Sequence, residues 1–211
     1  YRYLEIATPG SANPTFGFEQ RAQQPVIETA AGFYANGVIV HISAADGAEI
    51  HYTTDCSTPT RTSSLYTGPI SISATTVIRA IACAPDQLCS AVAGATYFIN
   101  DSSPVPVVSL YTDNAYLFDD STGVMVKGTG RTPNYMKNLQ YPCQLEYFDE
   151  NGQLGICQMG TFKIAGKTMR TGKQKSLAVY ARKAYGSDTF GYPFFEDRDY
   201  DGYSAILLRY T

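Results

Sequence analysis

Four segments of alternating apolar and polar residues in the first half of the chain constrain its fold most strongly. Turn-forming residues separate them at short intervals, and they span Gly37–Ser43, Glu49–Thr54, Thr75–Ala84 and Ala91–Ile99. Alternation with a period of two places every second side chain on the same face of a strand. Several short strands in succession are typical of two packed antiparallel sheets. The sequence therefore predicts an antiparallel β-sandwich over residues 24–101.

The second half of the chain also predicts strands. Cys143–Phe148 and Leu154–Ile164 flank an Asp-Glu-Asn-Gly turn and predict a hairpin, and a further strand is predicted from Leu177. Residues 105–128 predict a strand, an acidic turn region and another strand, and residues 134–142 predict a short helix or a loop. The 17 Tyr and 10 Phe residues also favour strands over helices. The chain is therefore predicted to be mainly β.

A polar break at Asn100–Pro104 predicts a domain boundary. It separates the predicted sandwich from a second, β-rich (α+β) domain over residues 104–211. Residues 1–23 carry Pro-Gly and Asn-Pro turn signals without periodicity, which predicts an irregular leader. Within this leader, Thr-Pro-Gly-Ser-Ala-Asn resembles the closing segment of lamin-tail-type β-sandwich modules of bacterial secreted proteins. The resemblance implies that the leader is the end of a preceding module.

The charge distribution bears on the class of partner. The net charge is −3, with seven acids and four bases in residues 1–100 and twelve of each in residues 101–211. A mildly acidic chain does not favour general nucleic-acid binding. No apolar stretch is long enough to span a membrane. Neither a nucleic acid nor a membrane span is therefore expected.

One basic stretch, Gly160–Gly186, contains seven Lys or Arg residues and no acid. Such a stretch fits an anionic ligand, although a solvated basic hairpin edge is the alternative. Lys175 has the same strand parity as Leu177, Val179 and Ala181, so its side chain is predicted to point to the buried face. A buried-side lysine is costly without an anion or a cleft. Lys175 is therefore the candidate ligand-binding residue.

The five cysteines include at least one thiol without an intrachain partner. Cys83 and Cys89 flank a predicted hairpin loop, and opposed strand residues can meet the distances of a disulfide. This pair is the favoured bridge. Cys143 and Cys157 flank the second hairpin and form a weaker candidate pair, because the length of the turn decides whether they face each other. Free buried thiols remain the alternative for all five cysteines.

Several motifs of the first half occur together in one known family. Residues 50–60 read IHYTTDCSTPT, residues 64–73 read SLYTGPISIS, and residues 75–82 read TTVIRAIA. Their order and spacing resemble the C-terminal module of chitobiase, whose motifs are YTTDGSxPT, YxxPI and IRAxA. The resemblance implies an immunoglobulin-like fold and a passive accessory role in secreted, often carbohydrate-active, proteins. Cys56 replaces the glycine of the family, which implies a residue with a positive φ angle at this turn.

Motifs of the second half resemble the start of the spore-coat CotH kinase-like family. The family pattern is a glycine, an arginine and a Lys-Ser-Leu core, then Tyr-Gly, a P-x-F segment and a Leu-Arg strand. The matching residues are Gly166, Arg170, Lys175-Ser176-Leu177, Tyr185-Gly186, Pro193–Phe195 and Leu208-Arg209. The resemblance covers about Pro104 to Thr211. It implies an atypical extracytoplasmic protein kinase whose small lobe holds ATP with Mg²⁺.

The same resemblance implies roles for two residues. Lys175 would contact the phosphates of ATP, and Arg170 would orient a phosphate or an acidic partner of the lysine. The Mg²⁺-binding and acceptor-positioning groups of the family lie beyond a Leu-Arg strand like the one at Leu208. The sequence given is therefore expected to bind ATP without being catalytically competent. Its protein or surface substrate is not indicated.

A second candidate site is the acidic segment before the last predicted strand. Asp197, Asp199, Asp201 and the following glycine spell D-x-D-x-D-G, the first half of a calcium-binding loop. The twelfth position of such a loop normally carries a glutamate, whereas here it is Leu208. Calcium is therefore one prediction, and a solvated acidic loop is the alternative.

Asp113, Asp119 and Asp120 form a further group of carboxylates. They stand beside Asn, Ser and Gly, so turn formation is favoured over metal binding.

Two functions remain open. The first is a fragment of a secreted multidomain bacterial protein, with an accessory sandwich followed by the ATP-binding lobe of a CotH-like kinase. The second is a non-enzymatic cell-surface adhesion or carbohydrate-binding module, in which Tyr192, Phe194 and Tyr203 stack on sugars. Both place the protein outside a bacterial cell or on its surface.

Overall fold

A computed structural model describes residues 17–195 and 197–209 of the chain. The chain divides into two compact units, Tyr1–Ser102 and Ser103–Thr211. The division falls within the polar segment that predicts a domain boundary. Most of the predicted leader lies outside the described residues.

The described part of the first unit contains nine strands. They are β1 (Val26–Ile27), β2 (Gly32–Tyr34), β3 (Val38–Val40), β4 (Ile42–Ser43), β5 (Glu49–Thr53), β6 (Ser64–Leu65), β7 (Ile70–Ile72), β8 (Thr76–Cys83) and β9 (Ala93–Ile99). A five-stranded sheet has the order β2-β9-β8-β5-β6, while β3 pairs with β7 and β1 with β4. The pairing of β2 with β9 is parallel, and the other pairings are antiparallel.

Alternate side chains of the large sheet pack on the short strand pairs to form the core of this unit. The sheet contributes Ile50, Ile78, Ala80, Ala95, Tyr97 and Ile99, and the short pairs contribute Val40, Ile42 and Ile72. Burial of these side chains supplies most of the free energy that favours the fold. The mainly β fold and the β-sandwich predicted from the alternation are confirmed.

The strand predicted over Gly37–Ser43 is divided in two by His41. The backbone N–H of His41 donates to Thr29 Oγ1 at 3.0 Å, and its carbonyl oxygen accepts from the N–H of Glu28 at 2.9 Å. The chain thereby changes its pairing partner from β7 to β1 at this residue. Alternation alone does not reveal the division, because both halves keep the same inward parity.

The turn after β5 is held by side-chain hydrogen bonds. Asp55 Oδ1 accepts from the backbone N–H of Ser57 at 3.0 Å and from its hydroxyl. Buried Arg79 donates to the carbonyl oxygen of Cys56 at 2.7 Å and to Thr58 Oγ1 at 3.3 Å. Cys56 has a φ of 64°, the left-handed conformation that glycine adopts most easily. The positive φ implied at this position is therefore present.

The second unit is built on one antiparallel sheet. Its strands are β10 (Val107–Tyr111), β11 (Tyr141–Phe148), β12 (Leu154–Ile164), β13 (Leu177–Ala181), β14 (Phe190–Gly191), β15 (Gly202–Tyr203) and β16 (Ala205–Leu208). The main sheet has the order β10-β11-β12-β13-β16, and β14 pairs with β15. Its core includes the fully buried residues Leu145, Phe162, Val179 and Phe190.

Over the described residues of this unit, helical structure is confined to short segments. They are α1 (Asn114–Phe118) and the 3₁₀ turns Asn134–Met136, Thr168–Thr171 and Lys183–Tyr185. Within the described part of the chain, no helix has the length and apolar character needed to cross a bilayer.

The second strand predicted within residues 105–128 is not formed. Asp113 caps α1 by accepting from the N–H of Ala115 at 3.0 Å, and Asp119 accepts hydrogen bonds from Ser121 and Thr122 in the following turn. Val124 lies in the turn that follows and packs into the core. Its backbone N–H donates to the carbonyl oxygen of Tyr116 at 2.9 Å. Turn formation by Asp113 and Asp119 thus takes precedence over the apolar alternation around Val124.

The cysteines fall into one bridge and three thiols. Cys83 and Cys89, the favoured pair, form a disulfide with a Cα–Cα distance of 4.4 Å. Cys143 and Cys157 are free, as is Cys56. The register of the hairpin explains why, since Cys143 lies opposite Gly160 and Cys157 opposite Glu146. The weaker candidate bridge is therefore absent.

Candidate functional site

The basic loop between β12 and β13 surrounds Lys175. This lysine is half-buried, and its Nζ donates to the carbonyl oxygen of Gly172 at 2.7 Å. The same Nζ lies 4.8 Å from the ring centroid of Tyr135, within the range of a cation–π contact. Lys175 lies two residues before β13, and its ammonium group contacts Gly172 and Tyr135 at the loop. The residues that share its parity, Val179 and Ala181, lie in the core.

Arg170 holds the loop in place through backbone carbonyl groups. Its Nε donates to Gly166 at 2.6 Å, and its two terminal nitrogens donate to Ile164 at 3.3 Å and to Met136 at 3.4 Å. Gly166 adopts a φ of 79°, so the chain turns where β12 ends. Arg170 therefore connects the basic loop to the 3₁₀ turn Asn134–Met136, which also carries Tyr135.

A further cation, Lys137, follows this 3₁₀ turn and lies beside a glycine-containing segment. Asn134 is buried, and its Nδ2 donates to the carbonyl oxygen of Asp120 at 3.0 Å while its Oδ1 accepts from Lys137 Nζ at 2.6 Å. Gly128 has a φ of 71°, and a Cβ there would lie 2.5 Å from Asn134 Nδ2. Residues 128–130 read Gly-Thr-Gly, and a Cβ at Gly130 would lie 3.6 Å from Lys137 Nζ.

Sequence reasoning identified Lys175 and Arg170 but missed Tyr135, Asn134 and Lys137. The predicted "short helix or loop" over residues 134–142 was the only available signal for them. The contact between Lys175 and Tyr135 joins segments that are far apart in the chain. A local sequence pattern does not predict such a contact.

The electrostatics of this loop favour an anion. Four bases, Lys167, Arg170, Lys173 and Lys175, lie between β12 and β13, without an acid. Neither Arg170 nor Lys175 forms an ion pair within the described part of the chain. Lys175 Nζ has three donor hydrogens, and one of them is used by Gly172. The loop therefore presents fixed cations with unused donor capacity, which can bind a phosphate or a carboxylate.

The predicted calcium residues are not assembled into a ligand set. Asp197, Asp199 and Asp201 are all exposed, and Asp197 forms an ion pair with Arg198 at 3.6 Å. Among residues 17–195 and 197–209, no three His, Cys, Asp or Glu side chains are placed to hold a metal ion together. Calcium binding at this loop stays a prediction of the sequence.

The acidic loop lies beside a cluster of aromatic rings. The cluster consists of Tyr147, Tyr192, Phe194, Phe195, Tyr200 and Tyr203, with neighbouring ring centroids 5.0–5.8 Å apart. Tyr192, Phe194 and Tyr203, the candidates for sugar stacking, are half-buried and pack edge to face within the cluster. Each of these three rings therefore packs against at least one other ring of the cluster.

The first unit is an immunoglobulin-like β-sandwich module. Residues 29–94 match the family model of the chitobiase/beta-hexosaminidase C-terminal domain. This match lies within residues 24–101, over which the β-sandwich was predicted. The curated proteins and the solved structures give no match to the chain. The second unit, including the basic loop, is matched by none of these comparisons.

Proposed function

We propose that the chain is part of a secreted multidomain bacterial protein in which an accessory β-sandwich precedes the ATP-binding lobe of a CotH-like atypical kinase. The observation that supports this function best is the position of Lys175. Its ammonium group is held between Tyr135 and Gly172 and has no carboxylate partner in the described part of the chain.

The proposed ligand is the polyphosphate of ATP. Lys175 contacts a phosphate through its remaining donor hydrogens, since a lysine binds phosphate as a compact point charge. Arg170 positions the loop, because three of its nitrogens already donate to carbonyl oxygens. Lys137, which follows the 3₁₀ turn Asn134–Met136, adds a further positive charge. Mg²⁺ accompanies ATP in the complete kinase domain, where it neutralises phosphate charge.

The first unit acts as a passive accessory module in this proposal. Its residues 29–94 match the chitobiase/beta-hexosaminidase C-terminal domain, and its buried polar residue Arg79 holds the turn at Cys56. The Cys83–Cys89 disulfide supports a location outside the cell, because disulfides persist in oxidising compartments. A location in the bacterial exterior or on its surface is thus proposed on chemical grounds.

Calorimetric titration with ATP tests the nucleotide site. The variant Lys175→Ala removes the held ammonium group, and Lys173→Ala is the matched control because Lys173 is an exposed lysine of the same loop. We expect Lys175→Ala to weaken ATP binding at least tenfold and Lys173→Ala to weaken it about twofold, as for a surface charge. Equal affinities of wild type and Lys175→Ala would refute the site.

A further inference from the structure

Three aromatic rings form a corner on the surface of the second unit. The ring of Tyr203, on β15, has neighbours on two sides: Phe195 at 5.6 Å with an interplanar angle of 74°, and Tyr200 at 5.0 Å with an angle of 82°. The hydroxyl of Tyr203 donates to the carbonyl oxygen of Tyr200 at 2.9 Å, which fixes one side of the corner. Phe195 is 50% exposed and Tyr200 is 58% exposed, so ring surface faces solvent.

These rings line an open recess of about 550 Å³. Its lining residues are Phe195, Asp197, Arg198, Tyr200 and Tyr203. The volume is within the range of small-molecule sites. Near-perpendicular rings offer π faces and edges in several directions, whereas a sugar ring stacks best on one flat, open face. The shape therefore favours a compact, nearly spherical group.

The charge around the recess favours a cation. Residues 197–201 contain three acids and one base. Asp197 lines the recess and pairs with Arg198 at 3.6 Å, but both side chains remain largely exposed. Arg198 offsets one negative charge and leaves the segment acidic. An anionic ligand would therefore be repelled, and a positive ligand would be attracted.

We propose that this recess, the aromatic corner, binds a trimethylammonium group of the choline type. Such a group carries a delocalised positive charge, has no hydrogen to donate, and is held by aromatic faces through cation–π attraction. The carboxylate of Asp197 attracts the bound cation through its charge and needs no direct hydrogen bond to it. A metal ion is a poorer fit, since the described residues around the recess do not converge as oxygen ligands. This site is separate from the basic loop and goes beyond the proposed nucleotide function.

Titration by NMR with choline and with its neutral isostere 3,3-dimethylbutan-1-ol tests the proposal. We expect choline to bind the full chain at least fivefold more tightly than the isostere, because the two differ mainly in charge. Equal binding of both would overturn the cation site. Binding of glucose or cellobiose at the same resonances, with no response to choline, would also overturn it in favour of a sugar site.

Variants of the lining residues make the test specific. Tyr200→Ala is expected to weaken choline binding about fivefold, whereas Tyr200→Phe keeps the ring and is expected to stay within about twofold of wild type. Arg198→Gln removes the competing cation and is expected to strengthen choline binding. Unchanged affinity in Tyr200→Ala would contradict the proposal, and Phe195→Ala repeats the test if Tyr200→Ala does not fold.

Phosphocholine distinguishes two sources of the same group. Preference for free choline over phosphocholine would identify a free organic cation as the ligand, because the acidic loop disfavours the phosphate. If the wild type binds phosphocholine more tightly than choline, and Arg198→Gln loses this preference, the ligand is a phosphate-linked head group. Failure of both ligands to bind would overturn the proposal, while ATP binding at the basic loop would be unaffected by any of these outcomes.

Discussion

Replacement of Cys56 by glycine and by alanine provides a direct measurement of backbone strain. Cys56 has a φ of 64°, and its carbonyl oxygen is held by Arg79 at 2.7 Å. A residue with a Cβ in this conformation is disfavoured by about 1–2 kcal/mol. Alanine keeps the Cβ and glycine removes it, so their difference isolates the strain from the loss of the thiol.

The magnitude follows from two opposing terms. Relief of strain makes the free energy of unfolding of Cys56→Gly about 1–2 kcal/mol larger than that of Cys56→Ala. The larger entropy of glycine in the unfolded state reduces this difference by about 0.5–1 kcal/mol. We expect Cys56→Gly to be the more stable by about 0.5–1 kcal/mol. For a unit of this size that difference raises Tm by roughly 2–8 °C. Circular dichroism melting under non-reducing conditions measures it.

A matched pair at Ser71 provides the control. Ser71 is exposed in the middle of β7 and has no positive φ. Ser71→Gly is therefore expected to be less stable than Ser71→Ala by about 0.5–1 kcal/mol, the opposite sign. If the Tm of Cys56→Gly is equal to or lower than the Tm of Cys56→Ala, the left-handed conformation assigned to residue 56 is wrong.

Two further predictions concern titrating groups. Hydrogen bonds from Ser121 and Thr122 lower the pKa of Asp119 to about 2. The stabilisation by this turn is therefore complete above the unfolded pKa of about 3.9 and is lost as the pH falls toward 2; carboxyl NMR shifts of Asp119 that titrate near 4 would contradict it. Cys157 is exposed as a residue, but partial desolvation of its thiol, followed by the charge of Glu146, raises its pKa to about 11. Its alkylation by iodoacetamide is expected to be slow at pH 8 and to rise about tenfold per pH unit; rapid labelling at pH 8 would show a thiolate instead.

Sequence patterns predicted the long strands of the first unit well, because alternate apolar residues of these strands lie in one core. The predicted segments at Glu49–Thr54, Thr75–Ala84 and Ala91–Ile99 differ from β5, β8 and β9 by at most two residues at either end. The strand predicted beyond Gly123 is wrong because Asp113 and Asp119 fix turns there. Local hydrogen bonds of this kind outweigh a short apolar alternation, and their strength is not visible in the apolar pattern.

The candidate sites show the same limit. Strand parity identified Lys175, because parity depends only on the spacing of residues along the chain. Tyr135, which lies under Lys175, and the corner of Phe195, Tyr200 and Tyr203 depend on contacts between segments that the topology brings together. The acidic residues around that corner were interpreted as a calcium loop, since the sequence shows the carboxylates but not the angles between the rings.

The parallel pairing of β2 with β9 has a consequence for how the first unit folds. Gly32 lies opposite Tyr97 and Tyr34 opposite Ile99, and the N–H of Asn100 donates to the carbonyl oxygen of Tyr34 at 2.8 Å. Every contact of this pair joins opposite ends of the module, so the entropy of closing a long loop must be overcome before the pair forms. During synthesis β2 therefore remains unpaired with β9 until Ile99 has left the ribosome, and the last strand of the module completes the sheet.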